Sequence, residues 1–321
     1  MSSVFSPGPG IADDYWKRYY SPEEAEAIGE TLSHTTIPSS GLPIHMRFYL
    51  QDGPAPTIIM LHGLLPYGLM LGKVHLAWHR AGFNVVNADL PGFGLSGGPR
   101  GGATIPGMIQ LWRDVMAFTE REVDSTAIFT AGQAEDSVTS YYTLANDPRV
   151  RAMSLHLILE YGDVENLDWL GNTMKIRAMT VFARTSHALK LGYNFNAQKN
   201  VPWEDVVGPD VELAVGDPLA FDHYTLGLVA SMAKPMKPPV RFEDCRTPCQ
   251  VVGSEKGRLW PVAHNRRAFE RLGGPKEWVL LEGAPQWSMR DDFAAEYASN
   301  VIRWFRQNGA ETNVAAPAVE A

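Results

Sequence analysis

Residues 126–136 read Thr-Ala-Ile-Phe-Thr-Ala-Gly-Gln-Ala-Glu-Asp. The first six form a short, mostly apolar run that ends at a glycine, which is typical of a strand buried on both faces of a sheet. Residues 137–146 continue with the pattern of a helix. A strand that turns at a glycine into a helix is the repeating unit of a parallel sheet covered by helices. These residues therefore predict an α/β fold.

The same alternation continues on both sides of this stretch. Strands are predicted at residues 44–50, 57–61, 83–89, 126–131, 152–159, 249–252 and 277–281, and helices at residues 72–80, 105–122, 137–146, 261–272 and 291–306. Strands separated by helices pair in parallel, and their crossovers place helices on both faces of the sheet. We therefore expect a mostly parallel central sheet as the core of the protein.

Residues 162–243 interrupt the alternation. They are too apolar for a disordered linker and too long for a connecting loop, and they enter at the carboxyl end of a parallel strand, where ligands bind in such folds. We interpret them as a helical cap, or lid, inserted into a core at residues 41–161 and 244–307; a helical elaboration without a gating role is the alternative. Residues 1–40 are then an N-terminal extension and residues 308–321 a flexible tail.

Charge and composition exclude several classes of partner. The 321 residues include 28 Lys and Arg against 36 Asp and Glu, a net charge of −8, so counterion release gives no affinity for nucleic acid. No apolar run approaches the roughly 20 residues that span a bilayer, and the chain starts without a signal-peptide pattern. The only cysteines, Cys245 and Cys249, are expected to be reduced thiols. We predict a cytoplasmic protein without membrane partner, nucleic-acid partner, metal or cofactor, and leave the oligomeric state open.

Three further motifs occur in order along the chain. Residues 61–64 are Leu-His-Gly-Leu, residues 89–96 are Asp-Leu-Pro-Gly-Phe-Gly-Leu-Ser, and residues 144–150 are Leu-Ala-Asn-Asp-Pro-Arg-Val. Together with the turn at 132–136 they resemble the α/β-hydrolase fold, and within it the lipase and esterase group similar to monoglyceride lipases. The resemblance covers about residues 40–306. It implies that the His-Gly turn builds half of an oxyanion hole.

The resemblance also implies where a catalytic triad belongs, and this chain departs from the pattern there. The family turn is Gly-x-Ser-x-Gly, but here Ala134 takes the serine position and Asp136 the second glycine. Gly257 stands where the acid is expected and Gln286 where the base is expected, with no histidine beyond His264. Three simultaneous changes favour natural divergence over one engineered substitution. Classical serine hydrolase activity is therefore not expected.

Other residues remain candidates for chemistry near the predicted pocket. A carboxylate in a partly apolar pocket has a raised pKa and acts as a proton carrier, which makes four acidic residues catalytic candidates: Glu135, Asp136, Asp163 and Glu255. For Asp163 and Glu255 a solvated loop carboxylate is the alternative. The resemblance implies the backbone amides of Leu64 and Glu135 as oxyanion donors. Substrate contacts are predicted for His62, Gly63, Leu65, Gln133, Tyr161 and Trp287, with structural hydrogen bonding as a further role for His62.

Three functional hypotheses follow. The first is an enzyme repurposed for proton transfer on an apolar carbonyl-containing small molecule, of the cyclase, lyase, dehydratase or isomerase type. The second is a non-catalytic small-molecule binder with an apolar pocket under the cap. The third is a residual, or engineered-inactive, ester or lactone hydrolase.

Overall fold

The computed structural model describes residues 19–64, 67–161, 193–194, 219, 223–257, 260–286 and 291–312. Within these residues, eight strands form one sheet and two short strands pair apart from it. The sheet strands are β1 (Leu32–Ser39), β2 (Leu42–Tyr49), β3 (Ala55–Met60), β4 (Asn84–Ala88), β5 (Ser125–Gly132), β6 (Val150–Leu155), β9 (Cys249–Ser254) and β10 (Lys276–Leu281). The separate pair is β7 (Tyr193–Asn194) and β8 (His223–Tyr224).

The strand order in the sheet is β1-β2-β4-β3-β5-β6-β9-β10. Strands β1 and β2 are antiparallel to their neighbours, and every pairing from β4 to β10 is parallel. All residues of β3, β4 and β9 are buried, as expected for strands covered on both faces. The predicted mostly parallel sheet is confirmed.

Helices cover the sheet on both faces. They are α1 (Pro22–Thr31), α2 (Gly72–Arg80), α3 (Ile105–Glu122), α4 (Glu135–Leu144), α5 (Leu226–Ala233), α6 (Val262–Arg271) and α7 (Asp291–Gln307). Helices α1, α2 and α7 contribute to one apolar cluster, and α3, α4, α5 and α6 contribute to the other. Each predicted strand and helix therefore has a counterpart, with ends that differ by a few residues.

Residues before 41 already form regular structure that joins the central sheet. Ser21 caps α1 in a reciprocal capping box with Glu24, because its hydroxyl and the Glu24 carboxylate satisfy amides that the first helical turn leaves open. Strand β1 then pairs with β2 along its whole length. The sheet thus begins before residue 41, inside the segment interpreted from the sequence as an extension.

Most of the predicted cap lies outside the described residues. What is described includes α5 and a β-bridge at the base of the insertion, where the Met236 amide donates to the Tyr161 carbonyl at 3.1 Å. Of the predicted tail, Ala310 is buried and its amide donates to the Phe305 carbonyl. None of the described helices combines the length and apolar character that crossing a membrane requires.

Candidate active site

A sharp turn joins β5 to α4, and Ala134 stands at its tip. Its backbone angles are φ 52° and ψ −131°, a region that residues with a Cβ rarely enter. The turn is also tight at Gly132, where a Cβ would lie 2.7 Å from the Ser137 backbone nitrogen. The turn therefore has the strained shape of a nucleophile elbow, and the Ala134 side chain at its tip is buried.

Asp136 ties this turn to the neighbouring strand. Its Oδ2 accepts a hydrogen bond from the Leu61 amide, just beyond β3, at 3.1 Å. Burial raises the pKa of Asp136 well above its usual range, although the Leu61 amide and the Trp112 indole N–H oppose that shift. The carboxyl at the glycine position therefore connects the first turn of α4 to residues 61–64.

His62 holds the His-Gly turn at residues 61–64, for which the resemblance implies an oxyanion hole. Its Nδ1 donates to the Gly63 carbonyl at 2.7 Å, and its Nε2 accepts from the Leu90 amide at 2.9 Å. Burial lowers the pKa of His62 to about 4, so the ring is neutral, as these two bonds require. Both ring nitrogens are engaged inside the protein, which supports the structural role of His62.

Asp89 anchors the following turn. Burial alone would raise its pKa, but the Arg47 guanidinium, bound through both nitrogens at 2.6 and 2.8 Å, holds that pKa below its usual range. The Asp89 carboxylate also accepts the amides of Gly68 and Leu95 at 2.9 Å. This ion pair and these amide bonds hold residues 89–96 in place, while Arg47 Nε has no hydrogen-bond partner among the described residues.

The carboxyl group of Glu135 is the most distinctive group at the elbow. Its side chain is only 1% exposed, and neither carboxyl oxygen has a hydrogen-bond partner among the described residues. Burial raises the pKa of Glu135 to about 8, while the neighbouring amides of Leu64 and of Glu135 itself act in the opposite direction. The two amides implied as oxyanion donors therefore lie beside a carboxyl of this chain, without a normal hydrogen bond to it.

Two other predicted contact residues carry unsatisfied polar groups. The Tyr161 hydroxyl and both side-chain polar atoms of Gln133 are buried without a partner in the described part of the chain. Burial raises the pKa of the Tyr161 hydroxyl, and the charge of Glu135 raises it further. The two side chains therefore interact electrostatically. Ala134, Leu64 and Tyr161 also share one apolar cluster, which includes residues of α5.

The positions implied for the acid and the base lie against each other. A Cβ at Gly257 would stand 2.8 Å from Gln286 Oε1 and 3.0 Å from the Ser254 carbonyl oxygen. Gln286 is buried and its Oε1 accepts the Trp260 amide at 3.2 Å. Glu255 is exposed and accepts the Gly283 amide at 2.7 Å.

Three predicted site residues, Leu65, Asp163 and Trp287, lie outside the described residues. One pair that the motifs did not indicate is His156, which directly follows β6, and Ser254, the last residue of β9. His156 Nε2 lies 2.8 Å from Ser254 Oγ, and the His156 amide reaches the elbow at the Gly132 carbonyl, 3.1 Å away. Burial lowers the pKa of His156 to about 4. No clear sequence signal indicated this pair, because His156 lies within the predicted strand 152–159 and Ser254 lies two residues beyond the predicted strand 249–252.

Comparison with known families agrees with this geometry. The family model Hydrolase_4, described as serine aminopeptidase, S33, matches residues 52–284. The chain belongs to this S33 family. The match spans the oxyanion turn, the elbow at Ala134 and the Gly257 segment, and it leaves β1 and α7 outside.

Solved structures share the fold of this S33 chain at low sequence identity. A soluble variant of monoglyceride lipase from Saccharomyces cerevisiae, in complex with a substrate analogue, matches with a TM-score of 0.68 at 9% identity over 86% of this chain and 96% of the other. The monoacylglycerol lipase of Paleococcus ferrophilus gives 0.67 at 17% over 83% and 99%. DcsB, in complex with its substrate analogue, gives 0.67 at 18% over 87% and 100%. A sequence search of curated proteins finds no significant match. The likenesses establish the fold alone.

Proposed function

We propose that this S33-family chain lacks the Ser–acid–His triad and performs proton transfer on an apolar carbonyl-containing small molecule, as a cyclase, lyase, dehydratase or isomerase does. The observation that carries the proposal is the unpartnered Glu135 carboxyl, buried beside the elbow.

The residues at the triad positions argue against serine-type hydrolysis. The Ala134 methyl group has no atom that attacks a carbonyl, and the Gln286 amide takes up no proton near neutral pH. Removing single triad members already lowers kcat by several orders of magnitude. Glu255 does not replace the missing groups, because it is exposed and hydrogen bonded to Gly283.

The environment of Glu135 suits an acid and base instead. A pKa of about 8 means that the carboxyl holds and releases a proton near neutral pH, which is the condition for efficient general acid–base catalysis. Glu135 as carboxylate would take a proton from the carbon next to a substrate carbonyl. The amides of Leu64 and Glu135, at the N-terminus of α4, would stabilise the negative charge. The apolar cluster around Ala134 favours an apolar substrate.

The test is hydrogen exchange in deuterium oxide with 2-nonanone, an apolar ketone whose α-protons exchange slowly by themselves. We expect the protein to exchange them faster than its heat-denatured form, and Glu135→Gln to slow this about 100-fold or more, the usual contribution of a general base. Glu120→Gln makes the same chemical change in a surface ion pair with Arg149 and should leave the rate unchanged. Exchange no faster than the denatured control, or full exchange by Glu135→Gln, would refute the proposal.

A second candidate function, residual ester hydrolysis, is favoured by the 2.8 Å contact between His156 and Ser254. Its test is hydrolysis of p-nitrophenyl hexanoate, comparing the wild type with Ser254→Ala. The low pKa of His156 makes it a weak base, so hydrolysis that depends on Ser254 should be slow, and equal rates for the wild type and Ser254→Ala would refute this candidate. A ligand that binds tightly and is neither exchanged nor converted would support the non-catalytic binder.

A further inference from the structure

Tyr161 is a rigidly held residue with an unused hydroxyl group. Its carbonyl accepts the Met236 amide at 3.1 Å, and its amide donates to the Tyr142 hydroxyl at 3.1 Å. The Tyr142 hydroxyl in turn donates to the Met236 carbonyl at 2.7 Å, and the two tyrosine rings pack edge to face at 5.3 Å. The backbone and ring of Tyr161 are therefore fixed by Tyr142 and Met236, while its O–H has no partner among the described residues.

The Tyr161 hydroxyl and the Glu135 carboxyl lie near the same face of helix α4. Tyr161 packs on this helix through Tyr142, which follows Glu135 by seven residues, or about two helical turns, and so shares its face. The charge of Glu135 also acts on the Tyr161 hydroxyl. Buried polar groups in folded proteins are nearly always hydrogen bonded. Two neighbouring groups that both lack partners in the described part of the chain indicate a site whose partner is a ligand with oxygen atoms at two positions.

The charges around Glu135 limit what that ligand is. The influences on its pKa are burial, its own amide and the Leu64 amide, with no Lys or Arg of the described residues among them. An anionic ligand would have to give up its hydration without gaining a positive partner, which is strongly unfavourable. The site therefore fits an uncharged compound.

We propose that Tyr161 is a catalytic proton donor of this site, and that the substrate is an uncharged carbonyl compound with a hydroxyl group on the β carbon. This inference rests on the proposed function. It specifies that function as elimination of water, or the reverse addition.

The step balances without any co-reactant. The Glu135 carboxylate removes a proton from the α carbon, the double bond forms between the α and β carbons, and the C–O bond at the β carbon breaks. The departing oxygen takes the Tyr161 hydroxyl proton and leaves as water. The proton on Glu135 returns through that water to the Tyr161 phenolate. The products are an α,β-unsaturated carbonyl compound and one water molecule.

Two probes separate the role of Glu135 from that of Tyr161. The first, 2-nonanone, has no leaving group and reports only α-proton removal; the second, 4-hydroxy-2-nonanone, also eliminates water. We expect Tyr161→Phe to keep α-proton exchange of 2-nonanone within about threefold and to lose elimination by about 100-fold, while Glu135→Gln loses both. Tyr141→Phe, whose hydroxyl contacts the Val240 carbonyl, is the matched control and should keep both.

A third probe distinguishes proton donation from a structural role of Tyr161. In 4-acetoxy-2-nonanone the acetate group leaves without a proton, so Tyr161→Phe should eliminate acetate within about threefold of the wild-type rate. A Tyr161→Phe variant that is equally slow with both leaving groups, or equally fast, overturns the donor role.

Substrate charge is tested by competition. Methyl 3-hydroxynonanoate should inhibit exchange at least about tenfold more tightly than the 3-hydroxynonanoate anion. Equal inhibition contradicts an uncharged substrate. Exchange of 2-nonanone without elimination from 4-hydroxy-2-nonanone overturns this inference and leaves the proposed function standing, whereas loss of exchange in the wild type overturns the proposed function itself.

Discussion

The Oδ2 atom of Asp136 lies 3.1 Å from the backbone nitrogen of Leu61 and accepts its hydrogen bond. This contact joins the first turn of α4 to the end of β3, two elements that both carry parts of the candidate active site. The position belongs to a glycine in the family turn. Here the side chain fills that space and gives a buried amide its partner.

Replacing Asp136 by glycine should therefore destabilise the protein although it restores the family residue. The Leu61 amide would lose its acceptor, and leaving a buried donor unsatisfied costs about 1–3 kcal/mol of unfolding free energy. Asp136→Asn keeps an oxygen at the same place and should cost less. Urea unfolding of the three proteins measures the difference. Equal stability of Asp136→Gly and the wild type would show that the contact contributes nothing.

The buried Glu135 carboxyl predicts a pH dependence of stability. Burial raises its pKa from 4.5 to about 8 in the folded protein, so the folded state binds more protons than the unfolded state between these values. Unfolding free energy should therefore fall as pH rises from about 4.5 to about 8, by up to about 1.4 kcal/mol per pH unit. Below pH 4.5 Glu135 is protonated in both the folded and the unfolded state. Above about pH 8 it is ionised in both states, and the loss of unfolding free energy is complete.

Glu135→Gln removes this titration and isolates it from other groups. The stability of the variant relative to the wild type should increase between pH 5 and pH 8, measured by urea unfolding at each pH. A constant difference over that range would mean that Glu135 is ionised in the folded protein, which contradicts its burial without a partner.

Restoring the serine alone should not restore hydrolysis. Ala134→Ser places a hydroxyl at the elbow, but a serine hydroxyl without a neighbouring base is a weak nucleophile. We expect p-nitrophenyl hexanoate to be hydrolysed by this variant no more than about tenfold faster than by the wild type. The single variant should be compared with the double variant Ala134→Ser, Gln286→His, because the second substitution supplies the base that the single variant lacks. Strong activity of the single variant would reveal a base that the proposed function denies.

The Arg47–Asp89 ion pair should contribute to stability in a non-additive way. Both side chains are fully buried, so Arg47→Met leaves an unpaired carboxylate and should cost about 3–5 kcal/mol. The double variant Arg47→Met, Asp89→Leu removes both charges and should recover part of that loss, although the amides of Gly68 and Leu95 also lose their acceptor. A double variant less stable than Arg47→Met would contradict this account. Thermal and urea unfolding measure both.

The sequence predicted the elements that follow a local pattern. The glycine at 132 and the apolar run before it located the turn between β5 and α4. Strand β1 escaped detection because its residues are largely polar and include Pro38, which is tolerated at the edge of a sheet. Its assignment depends on pairing with β2, which no local pattern encodes.

The contacts within the candidate site were less accessible to sequence reasoning. The motifs placed Glu135 and Leu64 near each other, but a pattern of residue types does not show that a carboxyl lies against the two amides without a hydrogen bond. His156 and Ser254 are 98 residues apart, and their contact follows from the pairing of β6 with β9. Such a pairing is a tertiary property, set by the order of strands in the sheet.

The contact between Gly257 and Gln286 limits how an acid and a base can be introduced at these two positions. An aspartate at 257 would bring its Cβ within 2.8 Å of Gln286 Oε1 and displace that oxygen from the Trp260 amide. A histidine introduced first at 286 would find no acid to orient it. Each single step toward a triad therefore loses a present contact before it gains a new one. Substitutions at 257 and 286 therefore have to be made together, because either one alone disturbs the packing of the other.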